Sequence, residues 1–157
     1  MARTITRYIP VLIVVFSMVS CSFNDVYNEN ISIADGIWAH DEAARFEVDI
    51  EDTLSDYSFY INIRNDIDYR YSNLYVFMQT RFPNGNLTRD TIEFVLADDS
   101  GKWLGKGWGR VKENKVKLKD NLMFPLSGKY VFLIQQGMRE ESLTGITDVG
   151  LIFEKNQ

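Results

Sequence analysis

The 157-residue chain has a single cysteine, Cys21, and a single histidine, His40. Without a second cysteine there is no thiolate zinc site, and one histidine cannot supply a His-rich metal cluster. No Gly-x-Ser-x-Gly or His-Glu-x-x-His run is present, so the common signatures of serine hydrolases and zinc peptidases are missing. Basic charge is also scarce, at 17 Lys+Arg against 22 Asp+Glu. An acidic chain lacks the positive footprint that general nucleic-acid binding requires. Long apolar runs are limited to "YIPVLIVVF" (8–16), about nine residues where a spanning helix needs roughly 20. The apolar content of 45% is nonetheless ordinary for a globular domain, and the length suits one.

What is present begins with a processing segment. Arg3 and Arg7 precede the short apolar run, and the small residue Ser20 stands directly before Cys21. That layout is a secretory signal rather than a membrane span. A cysteine directly after the small residue resembles the lipobox of bacterial lipoproteins, with Met18 where leucine is commonest. In such proteins the thiol is diacylated, the preceding peptide is removed and the new amino terminus is usually acylated. Stable anchoring takes more than one acyl chain, which a lipidated cysteine supplies. A catalytic thiol would need a positioned base, and His40, expected at a strand edge or loop, has no evident link to Cys21.

Beyond Cys21 the pattern is β. Apolar residues alternate with polar ones in 45–50 (Phe46, Val48, Ile50), 58–64 (Phe59, Ile61, Ile63), 73–82 (Leu74, Val76, Met78, Phe82) and 90–96 (Ile92, Phe94, Leu96). Residues 114–119, 129–135 and 148–154 complete the set. Short alternating runs separated by turn residues predict a single antiparallel β-sandwich, Ig-like or jelly-roll-like, with no convincing helical period. "FPNGN" (82–86) is the clearest turn and pairs 73–82 with 87–96 as a hairpin. The expected organisation is a signal peptide over 1–20, a lipidated cysteine and short tether over 21–35, and the sandwich over 36–157.

Three further features invite a function. "GKWLGKGWG" (101–109) is Gly-rich, but Lys106 is followed by Gly107 rather than Ser or Thr, so it is not a phosphate loop. It reads as a mobile loop with tight turns, anchored by Trp103 and Trp108. Asn65, Asp66 and Asp68, with Asp98 and Asp99, offer oxygens but not the spacing of a calcium loop, and turn chemistry accounts for them better. Residues 101–120 hold seven bases against Glu113 and Asp120, a local +5 in a domain otherwise acidic. Lys106, Lys115, Lys117 and Lys119, with Trp103 and Trp108, form the candidate interaction surface. Its basic strip suits anionic head groups, an acidic polysaccharide or an acidic protein. The competing reading of the lysines is the solvated face of an edge strand.

The blocks "KWLGKG", "FPLSGKY" and "GITDVG", within 99–139 and 143–155, resemble the GldH family of gliding-motility lipoproteins of the Bacteroidota, and 61–85 fits the same family. The resemblance implies a non-enzymatic cell-envelope lipoprotein that works with other gliding-motility lipoproteins and type IX secretion. It implies no cofactor, metal or catalytic residue, a partner membrane reached through lipid on Cys21, and no nucleic acid. The periplasmic face of the outer membrane is the expected location. Asp52-Thr53-Leu54 and Asp90-Thr91-Ile92 resemble the O-glycosylation acceptor of that phylum, which makes Thr53 and Thr91 candidate modification sites, Thr53 being the more accessible on its turn. The alternative is an envelope-anchored carbohydrate-binding module using Trp103, Trp108 and the tyrosines of 69–75.

Overall fold

A computed structural model describes residues 25–156. Cys21 and the signal segment lie outside them. The alternating runs become strands, and the strands form two four-stranded antiparallel sheets packed face to face. The first sheet has the order β1 (Asp25–Ser32), β10 (Ile146–Lys155), β4 (Tyr57–Asp66), β7 (Val111–Leu122). The second has β3 (Ala43–Ile50), β8 (Gly128–Gln136), β5 (Asn73–Arg81), β6 (Leu87–Val95). A short ribbon of β2 (Ile37–Ala39) and β9 (Ser142–Thr144) lies between them in sequence and buries Trp38, whose indole N–H donates to the Glu42 carbonyl at 2.9 Å. All seven expected strands are present, and the sandwich is confirmed.

Alternation decides which side chains meet. On β3, Ala44, Phe46, Val48 and Ile50 are buried while Arg45, Glu47 and Asp49 face water. The facing sheet contributes Phe59, Ile61 and Ile63 from β4, with Val149, Leu151 and Phe153 from β10. Burying each such side chain contributes about 1.5–3 kcal/mol. An aromatic cluster fills one end of the core. Phe153 stacks on Phe59 at 4.7 Å between centroids and meets Phe124 edge-on at 5.2 Å. Tyr130 joins Phe124 at 5.0 Å and donates its hydroxyl to the Leu126 carbonyl, so its polar end is satisfied. The 82–86 turn closes as expected: Gly85 N–H donates to the Phe82 carbonyl with φ +86, and Asn84 accepts from the Asn86 N–H.

The tether is shorter than the sequence suggests. Residues 25–32 form β1, which pairs with β10 from Asp25 opposite Glu154 to Ser32 opposite Asp148. "DVYNENIS" is too polar to announce a strand. It forms because β10, paired on its other side with β4 and buried through most of its length, offers it an open ladder. A four-step connection from Cys21 to Asp25 spans at most about 14 Å.

Candidate interaction surface

The Gly-rich loop after β6 is stitched to the sandwich. Asp98 accepts from the Ser100 and Lys102 N–H groups at 2.9 and 3.0 Å and from the Ser100 hydroxyl at 2.6 Å. Those bonds hold its carboxyl below the usual range, the Ser100 side chain contributing most. Ala97 bridges Trp103, Leu104 N–H donates to the Leu96 carbonyl at 2.9 Å, and Lys106 exchanges both backbone bonds with Glu113. The last bridge covers part of the open edge of β7. Gly107 is required there, since a Cβ would lie 2.8 Å from the Val111 carbonyl oxygen and φ is +132.

The two tryptophans separate. Trp103 is half-buried against the core, 6.5 Å from the ring of Tyr69. Trp108 is fully exposed, so the expectation that both anchor the loop is corrected. Glycines on either side, at φ +132 and +81, hold residue 108 away from the sheet, and it finds no apolar neighbour to fold against. Tyr69 is buried and Tyr71 half-buried beside it, at 5.7 Å between rings. Of the aromatics proposed for sugar stacking, Trp108 alone stands clear, with Tyr75 partly exposed on β5.

The basic strip is partly paired, two of its bases by acids remote in sequence. Arg110 binds Asp66 at 2.8 Å and also Asp68, which gives those carboxylates a structural task. Lys112 donates to the Gly107 carbonyl at 2.9 Å. Lys115 pairs with Glu154 and sits 4.3 Å above the Tyr60 ring, a cation–π contact. Lys117 lies 5.4 Å from the same ring and 3.3 Å from Asp120. Tyr60 and then Asp120 hold the Lys117 ammonium above its ordinary value. Lys102, Lys106 and Lys119 have no ion pair among the described residues. Lys115, Lys117 and Lys119 face outward on β7, an edge strand, where lysine discourages unwanted pairing.

Asn62, buried on the outer face of β4, ties three strands together. Its amide donates to Asn30 of β1 at 3.1 Å and to Glu113 of β7 at 2.7 Å, and Arg64 also reaches Glu113 at 3.1 Å. Asn62 and then Arg64 hold the Glu113 carboxyl below its ordinary 4.5. A depressed carboxylate stabilises the fold above its unfolded value, and that contribution disappears as pH falls through the folded one. The melting temperature is therefore expected to drop over the acidic interval below the ordinary glutamate value. Glu113→Gln should start lower at pH 7 and lose less over that interval, as thermal melts would record.

Sequence reasoning missed a groove. Between β6, β7 and residues 123–126 the sandwich stays open, leaving an apolar cleft of about 650 Å³ floored by Phe59, Phe132 and Ile92. Asp90, Glu93 and Lys119 stand among its lining residues. The modification candidates reverse their expected order, since Thr53 is half-buried in its bend while Thr91 is exposed on β6. Asp52, beside Thr53, is occupied with the Leu54 and Ser55 N–H groups and with Lys155 at 2.7 Å. His40 is exposed in the turn after β2.

Strand edges, a pinned loop and an apolar groove are among the surfaces of this domain, and no group of three or more His, Cys, Asp or Glu side chains converges among the described residues. Two sheets packed around one core place it in the class of small antiparallel β-sandwich domains. The chain is a member of the GldH lipoprotein family, which matches residues 25–152. It is 44% identical over 151 residues to a gliding motility lipoprotein GldH homolog of Christiangramia forsetii, covering 92% of this chain and 91% of that one. It is 30% identical to gliding motility lipoprotein GldH of Flavobacterium johnsoniae, covering 92% and 93%. Dimeric latent PorU of Porphyromonas gingivalis gives a TM-score of 0.36 at 10% identity, over 86% of this chain and 12% of that one, too remote to carry any argument.

Proposed function

We propose that this lipoprotein is a non-enzymatic docking component of a gliding-associated envelope complex, held by acyl chains on Cys21 at the periplasmic face of the outer membrane. The observation that carries the reading is the family match across almost the entire described domain, from the first strand to within a few residues of the last strand's end. The short connection to β1 supports it, because a lipid on Cys21 keeps the sandwich within about 14 Å of its anchor residue. The engagement of Asp66, Asp68, Asp98 and Glu113 in ion pairs and turns argues against acid–base work. The Gly-rich loop and its exposed Trp108 are a candidate contact for the partner.

Chemical cross-linking in intact envelopes, followed by identification of the captured proteins, tests the proposal. Recovery of motility or secretion components supports docking. Recovery of none, together with measurable glycan binding, favours the carbohydrate module instead. Trp108→Ala is expected to leave thermal stability within about 0.5 kcal/mol, because the side chain is fully exposed. The same variant should reduce cross-linked partner recovery. Undiminished recovery removes Trp108 from the docking surface.

A further inference from the structure

The edge strand β6 runs nine residues, Leu87–Val95, along one side of the second sheet. It pairs with β5 on one side in unbroken register from Leu87 opposite Arg81 to Val95 opposite Asn73. Its other side carries no strand, although the Gly-rich loop lies against the two residues that follow it, Leu96 and Ala97. It carries no lysine, proline or bulge, and its charges are Arg89 and Glu93 on the outer face and Asp90 on the inner. Its outward side chains are Leu87, Arg89, Thr91, Glu93 and Val95, apolar at both ends and oppositely charged on the two sides of Thr91. Leu87 and Val95 are apolar and half exposed, at 50% and 58%. Arg89 and Glu93 are opposite charges, and neither has an ion pair among the described residues. Arg89 reaches only the neutral Gln79, at 3.1 Å, and Glu93 accepts from Asn73 at 2.7 Å.

We infer that β6 pairs antiparallel with β6 of a second copy, about a two-fold axis through Thr91, to make a continuous eight-stranded sheet. In that register Arg89 lies opposite Glu93 of the second copy, and the symmetry repeats the pair. Leu87 meets Val95 at each end, and Thr91 faces its own counterpart. Facing cross-strand pairs of this kind contribute about 0.2–1 kcal/mol each, and like charges placed opposite one another are destabilising. Charge also selects the register. Moving the centre to residue 90 or 92 sets Arg89 against a threonine or a valine, and centring on residue 89 sets it against itself. Two of the other edges meet like charges in the corresponding arrangement. Self-pairing of β7 about Lys117 would oppose Lys115 and Lys119, and self-pairing of β3 about Glu47 would stack two carboxylates.

On the inner face, Asp90 would lie opposite Ile92 at the open groove, where water still reaches the carboxylate. The axis is perpendicular to the sheet, so both acylated termini reach one leaflet only when the sandwich lies flat on it. An O-glycan on Thr91 would stand on the axis, so the pairing requires that threonine unmodified.

The test uses the full chain in isolated envelopes. Thr91→Cys places one thiol beside its own symmetry mate, and mild oxidation should yield a disulfide-linked dimer. Leu54→Cys, exposed but far from β6 in the fold, controls for chance collision and for Cys21. Adding Arg89→Glu to Thr91→Cys opposes two carboxylates at both ends and should abolish the band. Adding Glu93→Arg as well restores unlike pairs and should bring it back, which also shows that the variants fold. A Thr91→Cys dimer no stronger than the Leu54→Cys control overturns the inference. So does a band that survives Arg89→Glu, a charge swap that fails to restore it, or an intact mass showing Thr91 glycosylated.

Discussion

Cys21→Ala is expected to move this protein out of the envelope membrane fraction. Each acyl methylene buried in a bilayer contributes about 0.8 kcal/mol, and a single chain holds a protein only marginally and reversibly. A lipoprotein cysteine carries two or three chains, which makes attachment persistent. The substitution removes the sulfur that accepts the diacyl group and the residue whose amino group would be acylated, so all chains are lost together. Nothing else in the sequence replaces them. The apolar run at 8–16 is about half the length of a membrane span, and the described residues contain no helix long and apolar enough to cross. Fractionation with a carbonate wash, alongside metabolic labelling with an alkynyl fatty acid, provides the measurement. Wild type should carry label and resist the wash, and the variant should do neither. A variant that still resists the wash in purified envelope membranes would mean that some other surface holds this protein there.

Much of the fold was legible because period-two alternation survives wherever one strand face is buried. Phe46, Val48 and Ile50 of β3 could be assigned inward from the sequence alone, and they are inward. The alternation is blind in two circumstances. β2 and β9 are three residues each, too short to show any period. β1 has little apolar character, and its order is conferred by the strand beside it rather than by its own residues. The interaction surface was harder to read, because linear counting treats charge as local. The seven bases of 101–120 stand close together in sequence, yet Asp66, Asp68 and Glu154 reach them from β4, from the turn after it and from β10. Trp103 and Trp108 look equivalent in "GKWLGKGWG", and it is the Ala97–Trp103 bridge and the positive-φ glycines around Trp108 that distinguish the inward ring from the outward one. The groove and the open edge of β6 depend on strand order, which no periodicity encodes.

Phe153→Ala should produce the largest loss of stability among single substitutions in the core. Phe153 is fully buried on β10, the strand that joins β1 to the rest of its sheet. Its ring contacts three others, Phe59 at 4.7 Å, Phe124 at 5.2 Å and Phe132 at 5.5 Å, so truncation opens a void bounded by rigid rings from both sheets. Rings held by their own neighbours collapse poorly into such a space, which puts the cost at about 3–5 kcal/mol. A domain of this size has about 5–15 kcal/mol in total, so the variant keeps a fraction of its stability. The expected fall in melting temperature is on the order of 10–20 °C. Phe77→Ala is the matched comparison, because that ring is 46% exposed on the outer face of β5 and should change stability by about 0.5 kcal/mol. Thermal melts of the two variants separate core packing from simple loss of an aromatic. Equal melting temperatures would place the stabilising contacts of the sandwich somewhere other than this cluster. The effect also reaches the anchor. β1 is ordered by its ladder to β10, so loosening β10 frees β1 and lengthens the connection between Cys21 and the sandwich. Phe153→Ala should therefore make β1 more susceptible to limited proteolysis than Phe77→Ala does.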